Sequence, residues 1–201
     1  MLVEPELVKR ITDPKALRAL AHPIRLSLLG LLRTQGPLTA TRAAELLGES
    51  SASTSFHLRQ LSKYGLAEEA GGGTGRERPW RATALYTSVP EVSDNPDFAV
   101  AADLYKSVVA ERDFADFMTW LDLRAAEPAE WQEAATQNEM VCYLTPGELV
   151  ALAEQVQRFL DLYADRLTSP ERRPPGARLV KHIELAFPID RHPRHGREDR
   201  S

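Results

Sequence analysis

Between residues 38 and 81, hydrophobic positions recur twice at a helical spacing and then give way to two short strand-like segments. The first helix is predicted from Thr41 to Leu47, because its alanines and leucines return every three or four residues. Gly48 follows at once, and glycine readily adopts the positive backbone angle that ends a helix in a sharp turn. Ser50 or Ser51 can then cap a second helix. The pattern predicts helix, turn, helix.

The second predicted helix, from Ser51 to Tyr64, has two distinct faces. Its buried face is expected to carry Thr54, Leu58 and Leu61, which lie four and three residues apart. The opposite stripe is small and polar at its N-terminal end and consists of Ser51, Ala52, Ser55, Phe56 and Arg59. On an isolated helix, such a stripe is more often a solvated surface than a binding face.

A β-hairpin is predicted after the second helix. Residues 66–70 and 79–83 are its short strands, and the glycine-rich residues 71–75 give it a long mobile tip. That tip lacks the Lys-Ser/Thr ending of a nucleotide-binding loop. Arg76, Arg78 and Arg81 cluster in the hairpin, which is therefore better interpreted as a basic wing.

The order of helix, turn, helix and hairpin is that of a winged helix-turn-helix domain, which places one helix in a DNA groove and a basic loop on the phosphates. Short side chains let the helix approach base edges, and its N-terminus favours a nearby phosphate. Arg59 can reach a phosphate or a guanine edge. We therefore predict that the exposed stripe and the arginines of the wing bind double-stranded DNA.

Three further segments carry a resemblance to a known family. Residues 19–29 read ALAHPIRLSLL, residues 43–48 read AAELLG, and residues 53–66 read STSFHLRQLSKYGL. In combination they resemble the bacterial ArsR-type winged-helix repressors over about residues 14–83. The resemblance implies a homodimeric transcriptional repressor. It also implies that the residues meeting DNA are Ser51, Ala52, Ser55 and Phe56, in agreement with the stripe.

The resemblance also implies a sensor, but the ligands of the metal-sensing members are missing. Those members carry a cysteine pair on the helix before the recognition helix, or His and Asp clustered on the last helix. Residues 38–48 contain no cysteine, and the single cysteine, Cys142, can complete neither a tetrahedral site nor an internal disulfide. His192 and His195 have arginine neighbours that would oppose a cation. We expect no metal and no other cofactor.

A long helix is predicted from Asp97 to about Ala126, after a linker at residues 88–96. Its apolar side consists of Ala101, Leu104, Tyr105, Val108, Phe114, Phe117, Met118 and Leu121. This side can pair with its twofold mate in a homodimer, or pack against the rest of the same subunit. Dimer pairing is favoured, because two half-sites increase affinity and specificity.

The last third of the chain is predicted to form a strand, a helix and a second strand. Residues 140–144 are the first strand, and residues 145–148 form a capping box with proline at the first helical position. The helix is expected to continue to about Leu167. Residues 178–189, with their alternating apolar positions, are the second strand, and residues 191–201 are expected to be disordered.

Aromatic side chains in this part of the chain suggest an effector pocket. A cavity for an apolar or aromatic small molecule would be lined by Trp120, Trp131, Tyr143, Phe159 and Tyr163. The alternative is ordinary core packing, which is more common for aromatic residues at helical spacing. No Ser/His/Asp or paired-carboxylate pattern supports catalysis, so we expect the protein not to be an enzyme.

Charge separates the two halves of the chain. Residues 1–90 have a balance of +4 and residues 91–201 a balance of −8, so the basic wing lies in the basic half. An acidic total does not exclude DNA, because phosphate binding depends on local charge. The sequence contains neither a run of apolar residues long enough to span a membrane nor the pattern of a signal peptide, so a cytoplasmic location is expected.

The sequence thus predicts a mainly α protein with a small β component. A winged helix-turn-helix domain (residues 1–88) is followed by a long dimerisation helix and a small α/β C-terminal region (residues 97–190). The predicted function is that of a DNA-binding transcriptional regulator, a homodimeric repressor with a small-molecule effector as an open possibility. The alternative is a winged-helix module that binds another protein instead of DNA.

Overall fold

The computed structural model describes residues 6–71 and 78–189. The chain divides into two compact units, residues 1–135 and 136–201. The strands described are β1 (Glu6–Arg10), β2 (Ala67–Glu69), β3 (Trp80–Ala82) and β4 (Ala84–Ser88). The α-helices described are α1 (Pro14–Leu20), α2 (Pro23–Gln35), α3 (Ala40–Leu47), α4 (Ser51–Lys63), α5 (Pro96–Leu123), α6 (Ala129–Ala134), α7 (Pro146–Asp161) and α8 (Asp165–Thr168). The predicted class, mainly α with a small β component, is confirmed. The functional domain limits at residues 88 and 97 stay a prediction.

The helix-turn-helix forms where the hydrophobic spacing predicts it. Gly48 ends α3 in the left-handed conformation, with φ 68° and ψ 27°. Ser50 rather than Ser51 is the cap of α4, and its hydroxyl accepts a hydrogen bond from the amide of Ser53 at 3.1 Å. Because this bond satisfies an amide that has no partner inside the helix, it fixes where α4 begins.

The core of the first unit is built mainly from the helices α1, α2 and α4. The predicted inner face of α4 is confirmed, since Thr54, Leu58 and Leu61 are all fully buried. The core continues into the start of α5, where Phe98 and Ala101 are buried against the same cluster. The helix that exposes the predicted DNA-binding stripe is therefore held by the centre of the hydrophobic core.

Two small sheets flank the helices. The predicted hairpin is confirmed as β2 and β3, which pair antiparallel. A second pair, β1 with β4, is parallel and was not predicted. The Nζ atom of Lys9 in β1 donates a 2.6 Å hydrogen bond to the carbonyl oxygen of Gly65, just after α4. This hydrogen bond links β1 to the C-terminal end of α4, which is the predicted recognition helix.

Helix α5 extends over 28 residues and confirms the predicted long helix, but its apolar residues lie on two faces instead of one. Ala101 is buried in the core, and Tyr105 and Val108 pack against it. Val100, Leu104, Phe114 and Met118 lie on the other side, with exposed fractions of 64, 49, 55 and 55%. The inner face is therefore covered by the subunit itself, and an outer apolar stripe is left in solvent.

The second unit contains α7 and α8. The predicted capping box is present, because Thr145 caps the amide of Glu148 and the Glu148 carboxylate accepts a hydrogen bond from the amide of Thr145. The Glu148 carboxylate accepts hydrogen bonds from both the amide and the hydroxyl of Thr145, and these two bonds lower its pKa. The helical region ends near its predicted limit, although a turn separates α7 from α8.

The two predicted C-terminal strands are wrong. Residues 140–144 and 178–189 are irregular, and none of their backbone groups hydrogen-bonds to the backbone of another described residue. Most of their side chains are exposed, including Tyr143 and Leu179. Alternating apolar residues suit a strand only when a neighbouring strand completes its hydrogen bonds, and the described chain supplies none. The described part of the predicted small α/β region is therefore helical, with irregular segments in place of the strands.

Candidate nucleic-acid interface

The predicted DNA-binding stripe lies on the outer surface of α4. Ser51, Ala52 and Arg59 are exposed, Phe56 is 49% exposed, and Ser55 is half-buried. The stripe begins at the capped end of the helix, where backbone amides and the helix dipole attract anions. The structure thus brings all five residues to one accessible face.

Helix α3 supports the N-terminal end of this stripe. The hydroxyl oxygens of Thr41 and Ser51 lie 3.5 Å apart, and α3 and α4 pack closely along the turn. Since Ala52 and both serines are small, the backbone of α4 can approach a groove without a bulky side chain in between. The rigid positioning of this end is what base recognition requires.

The arginines of the wing have different surroundings. Arg78 is exposed and forms an ion pair with Glu69 at 2.9 Å across the hairpin. Arg81 pairs with Glu68, and its side chain is only 17% exposed. Arg76 lies outside the described residues. The Arg81 pair joins β2 to β3, and the Arg78 pair joins β2 to the segment just before β3, so both arginines strengthen the hairpin in addition to the phosphate contacts predicted for them.

A histidine pair lies under the recognition helix, and the sequence patterns did not single it out. The rings of His22, at the start of α2, and His57, in α4, are 4.6 Å apart at an angle of 43°. The Phe56 ring contacts His57 edge-on at 5.3 Å. The Nδ1 atoms of both histidines are buried and find no hydrogen-bond partner among the described residues. The exposed Phe56 side chain of the stripe therefore contacts a buried titratable side chain, that of His57.

Burial lowers the pKa of both histidines, and the nearby Arg25 guanidinium lowers it further. Glu49 acts in the opposite direction with a smaller effect. Both groups therefore remain neutral to lower pH than an ordinary histidine, whose pKa is 6.5. Protonation of either ring would place a positive charge in a site that already contains the Arg25 guanidinium.

This arrangement predicts that the free energy of unfolding decreases as pH falls below 6.5, the ordinary histidine pKa. The unfolded chain takes up protons more readily than the folded one, so stability is complete above that pH and is lost below it. His57→Gln should weaken this pH dependence in thermal melts followed by circular dichroism. His182→Gln, at an exposed position, should leave it unchanged. Equal pH dependence in all three proteins would contradict the assignment.

The predicted effector residues belong to both units of the chain. Trp120 and Trp131 are half-buried in the first unit, whereas Tyr143 in the second unit is fully exposed. Phe159 in α7 and Tyr163 in the turn after it contact each other edge-to-face at 6.0 Å. Their role in binding an effector stays a prediction.

Within residues 6–71 and 78–189, no group of three or more His, Cys, Asp or Glu residues is arranged to hold a metal ion. Cys142 is exposed. His192 and His195 lie outside the described residues. None of the helices in the same described part has the length and hydropathy of a membrane span.

Comparison with known proteins agrees with this geometry. A search of curated proteins finds no match. A family model described as a helix-turn-helix domain matches residues 20–70, which include α2, α3 and α4. The matched family includes ArsR-type regulators. The similarity covers the exposed stripe and the histidine pair, and it indicates that this protein has a DNA-binding domain of the kind found in transcriptional regulators.

Proposed function

We propose that the protein is a sequence-specific, homodimeric transcriptional repressor of the ArsR type. The observation that carries the proposal is the exposed stripe on α4, which starts at a capped helix end and is held from behind by buried Thr54 and Leu58. Regulation by a small molecule is part of the proposal, and its candidate contacts are the predicted aromatic residues Trp120, Trp131, Tyr143, Phe159 and Tyr163. Repression would follow when the operator overlaps a promoter.

Support for DNA as the partner comes from the composition of the stripe. Its N-terminal half carries only small residues, and its C-terminal half carries Phe56 and Arg59. Small residues permit close approach, arginine contacts phosphate or guanine, and an aromatic edge can contact a thymine methyl group. The five residues span slightly more than two helical turns, so they can read only a few successive base pairs.

The operator can be obtained by selection from a random duplex library, followed by gel shifts of the enriched sequence and of the protein's own upstream region. The proposal expects enrichment of a sequence with twofold symmetry, since two recognition helices read two half-sites. If no sequence is enriched after repeated rounds of selection, the proposed sequence-specific binding is wrong.

Replacement of the exposed stripe tests which residues read the sequence. Phe56→Ala and Ser55→Ala should each reduce the preference for the selected operator over random DNA by about 1–3 kcal/mol, the usual value of a base contact. Binding to random DNA and the melting temperature should change little, because neither side chain is in the buried core. The measurement is competitive fluorescence anisotropy. Arg42→Ala, an exposed change on α3, is the control.

The alternative, a module that binds another protein, is supported by one observation. Phe56 is a large apolar residue that is half exposed on the face in question. Exposed aromatic residues are frequent anchors of protein interfaces. If Phe56→Ala abolished capture of a protein partner while the wild-type chain bound no duplex, this second function would replace the first.

A further inference from the structure

A basic groove borders the recognition helix on a side that neither the stripe nor the wing occupies. Its volume is about 270 Å³, and it is lined by Lys15, Arg18, Ala19, Arg25, Gln60 and Tyr64. Three of the six lining residues are cations, and none is a carboxylate. The cations come from α1 and α2, so the fold brings them together from outside the recognition helix.

Arg25 is the cation of this groove whose surroundings most favour binding of an anion. Its Nε atom is buried and has no hydrogen-bond partner among the described residues. Burial lowers the pKa of this guanidinium, and neighbouring Tyr64 acts in the opposite direction. An arginine that is partly removed from water without a carboxylate or carbonyl partner is a favourable site for an anion.

The other two cations remain available to a ligand. Lys15 is exposed at the start of α1. Arg18 has two long contacts with Asp97, a 3.5 Å hydrogen bond to its carbonyl oxygen and a 3.7 Å ion pair with its carboxylate, and both side chains are exposed to solvent. A solvated contact of this length is weak, so an incoming anion can compete with Asp97 for the guanidinium.

The position of the groove indicates which anion it meets. Gln60 follows Arg59 directly and lies one helical turn after Phe56, so the groove adjoins the exposed stripe. When α4 lies in a major groove, the strand beside it brings phosphates to this flank. We propose that Lys15, Arg18 and Arg25 form a phosphate site for the DNA backbone, separate from the wing. This inference rests on the proposed function.

A salt titration tests the site without knowledge of the operator. The probe is a labelled random-sequence duplex, and its affinity is measured by anisotropy over a range of KCl concentrations. Each phosphate contact contributes roughly 0.9 to the slope of log K against log salt, so Lys15→Ala with Arg25→Gln should reduce the slope by about one to two. Arg158→Ala removes one exposed positive charge from α7 and should leave the slope unchanged.

Two further measurements keep the outcome clear. Lys15→Ala alone changes an exposed side chain, so it should reduce the slope by about one even if loss of Arg25 impairs folding. The second is the melting temperature of wild type and of the double variant with inorganic phosphate. One result would overturn the assignment to DNA: phosphate raises the melting temperature of the wild type but not of the double variant, while both the single and the double variant keep the salt slope of the wild type. The groove would then be a site for a free anion.

The remaining outcomes separate this inference from the function on which it rests. If the wild type binds the duplex with a salt slope that all variants share, and phosphate stabilises none of them, the groove is no anion site while DNA binding stands. If the wild type binds no duplex at any salt concentration, both the phosphate site and the proposed function are wrong.

Discussion

Leu58→Ala is expected to reduce the free energy of unfolding by about 2–5 kcal/mol, because truncation of a buried leucine loses apolar contact and leaves a cavity. Leu58 is fully buried on the inner face of α4, directly behind the exposed stripe. A loss of this size is a large fraction of the stability of an ordinary domain. DNA binding should decrease with it, since the recognition helix loses its support. The measurement is urea denaturation followed by circular dichroism.

The matched control is Leu46→Ala on the neighbouring α3. The same atoms are removed there, but Leu46 is 37% exposed and the truncated side chain leaves no closed cavity. Its effect should therefore be clearly smaller, under about 1 kcal/mol, as for most surface substitutions. Equal losses in the two variants would mean that the inner face of α4 does not pack as described.

The sequence predicts the helix-turn-helix well because its signals are local. The helical spacing, the glycine at position 48 and the serine at position 50 act within a few residues of one another, so no distant contact is needed to interpret them. The same holds for the capping box at Thr145 and Glu148, and for the pairing of β2 with β3. Where local preference and tertiary packing agree, a single sequence is sufficient.

Contacts between distant parts of the chain could not be predicted in this way. Strand β1 pairs with β4, so Val8 lies opposite Tyr86. No turn signal in the sequence links these two segments, so their pairing cannot be predicted from local pattern. The pairing of His22 with His57 likewise depends on how α2 crosses α4. The basic groove has the same origin, because its cations come from α1 and α2 and its other wall from α4.

For the C-terminal segments, the sequence predicts strands that the described chain does not contain. Residues 178–189 alternate apolar and polar positions, which favours a strand, but alternation describes side chains and not hydrogen-bond partners. Ile183 and Phe187 are among the apolar residues that remain exposed there. An isolated extended segment gains no ladder hydrogen bonds, so the pattern alone does not produce a strand.

Helix α5 connects the fold to the dimer that we propose. Its inner face is already used by the core of the first unit, through Phe98 and Ala101. Its outer stripe, which consists of Val100, Leu104, Phe114 and Met118, follows steps of three and four residues when Ser107 and Glu111 are included. This spacing is that of a helix seam, and an apolar stripe of this length is a typical protein interface. The dimer that we propose would bury it.

Replacement of Phe114 by Glu together with Met118 by Lys should therefore convert the protein from a dimer to a monomer. The two new charges lie four residues apart in the order that favours a helix, so α5 should remain folded while the stripe loses its apolar character. Light scattering at micromolar concentration should give twice 22.4 kDa for the wild type and 22.4 kDa for the variant. Affinity for a twofold-symmetric operator should decrease by about 10²–10⁴, the gain that linkage of two binding modules provides.

The control variant is Ala115→Glu with Thr119→Lys, which places the same two charges one residue further along α5 and off the stripe. It should retain the mass and the operator affinity of the wild type. Dissociation of both variants would indicate a general effect of charge on α5. A wild-type monomer that protects both half-sites as one unit would refute the pairing through this helix, because the two recognition helices would then come together only on the operator and not through a stable α5 interface.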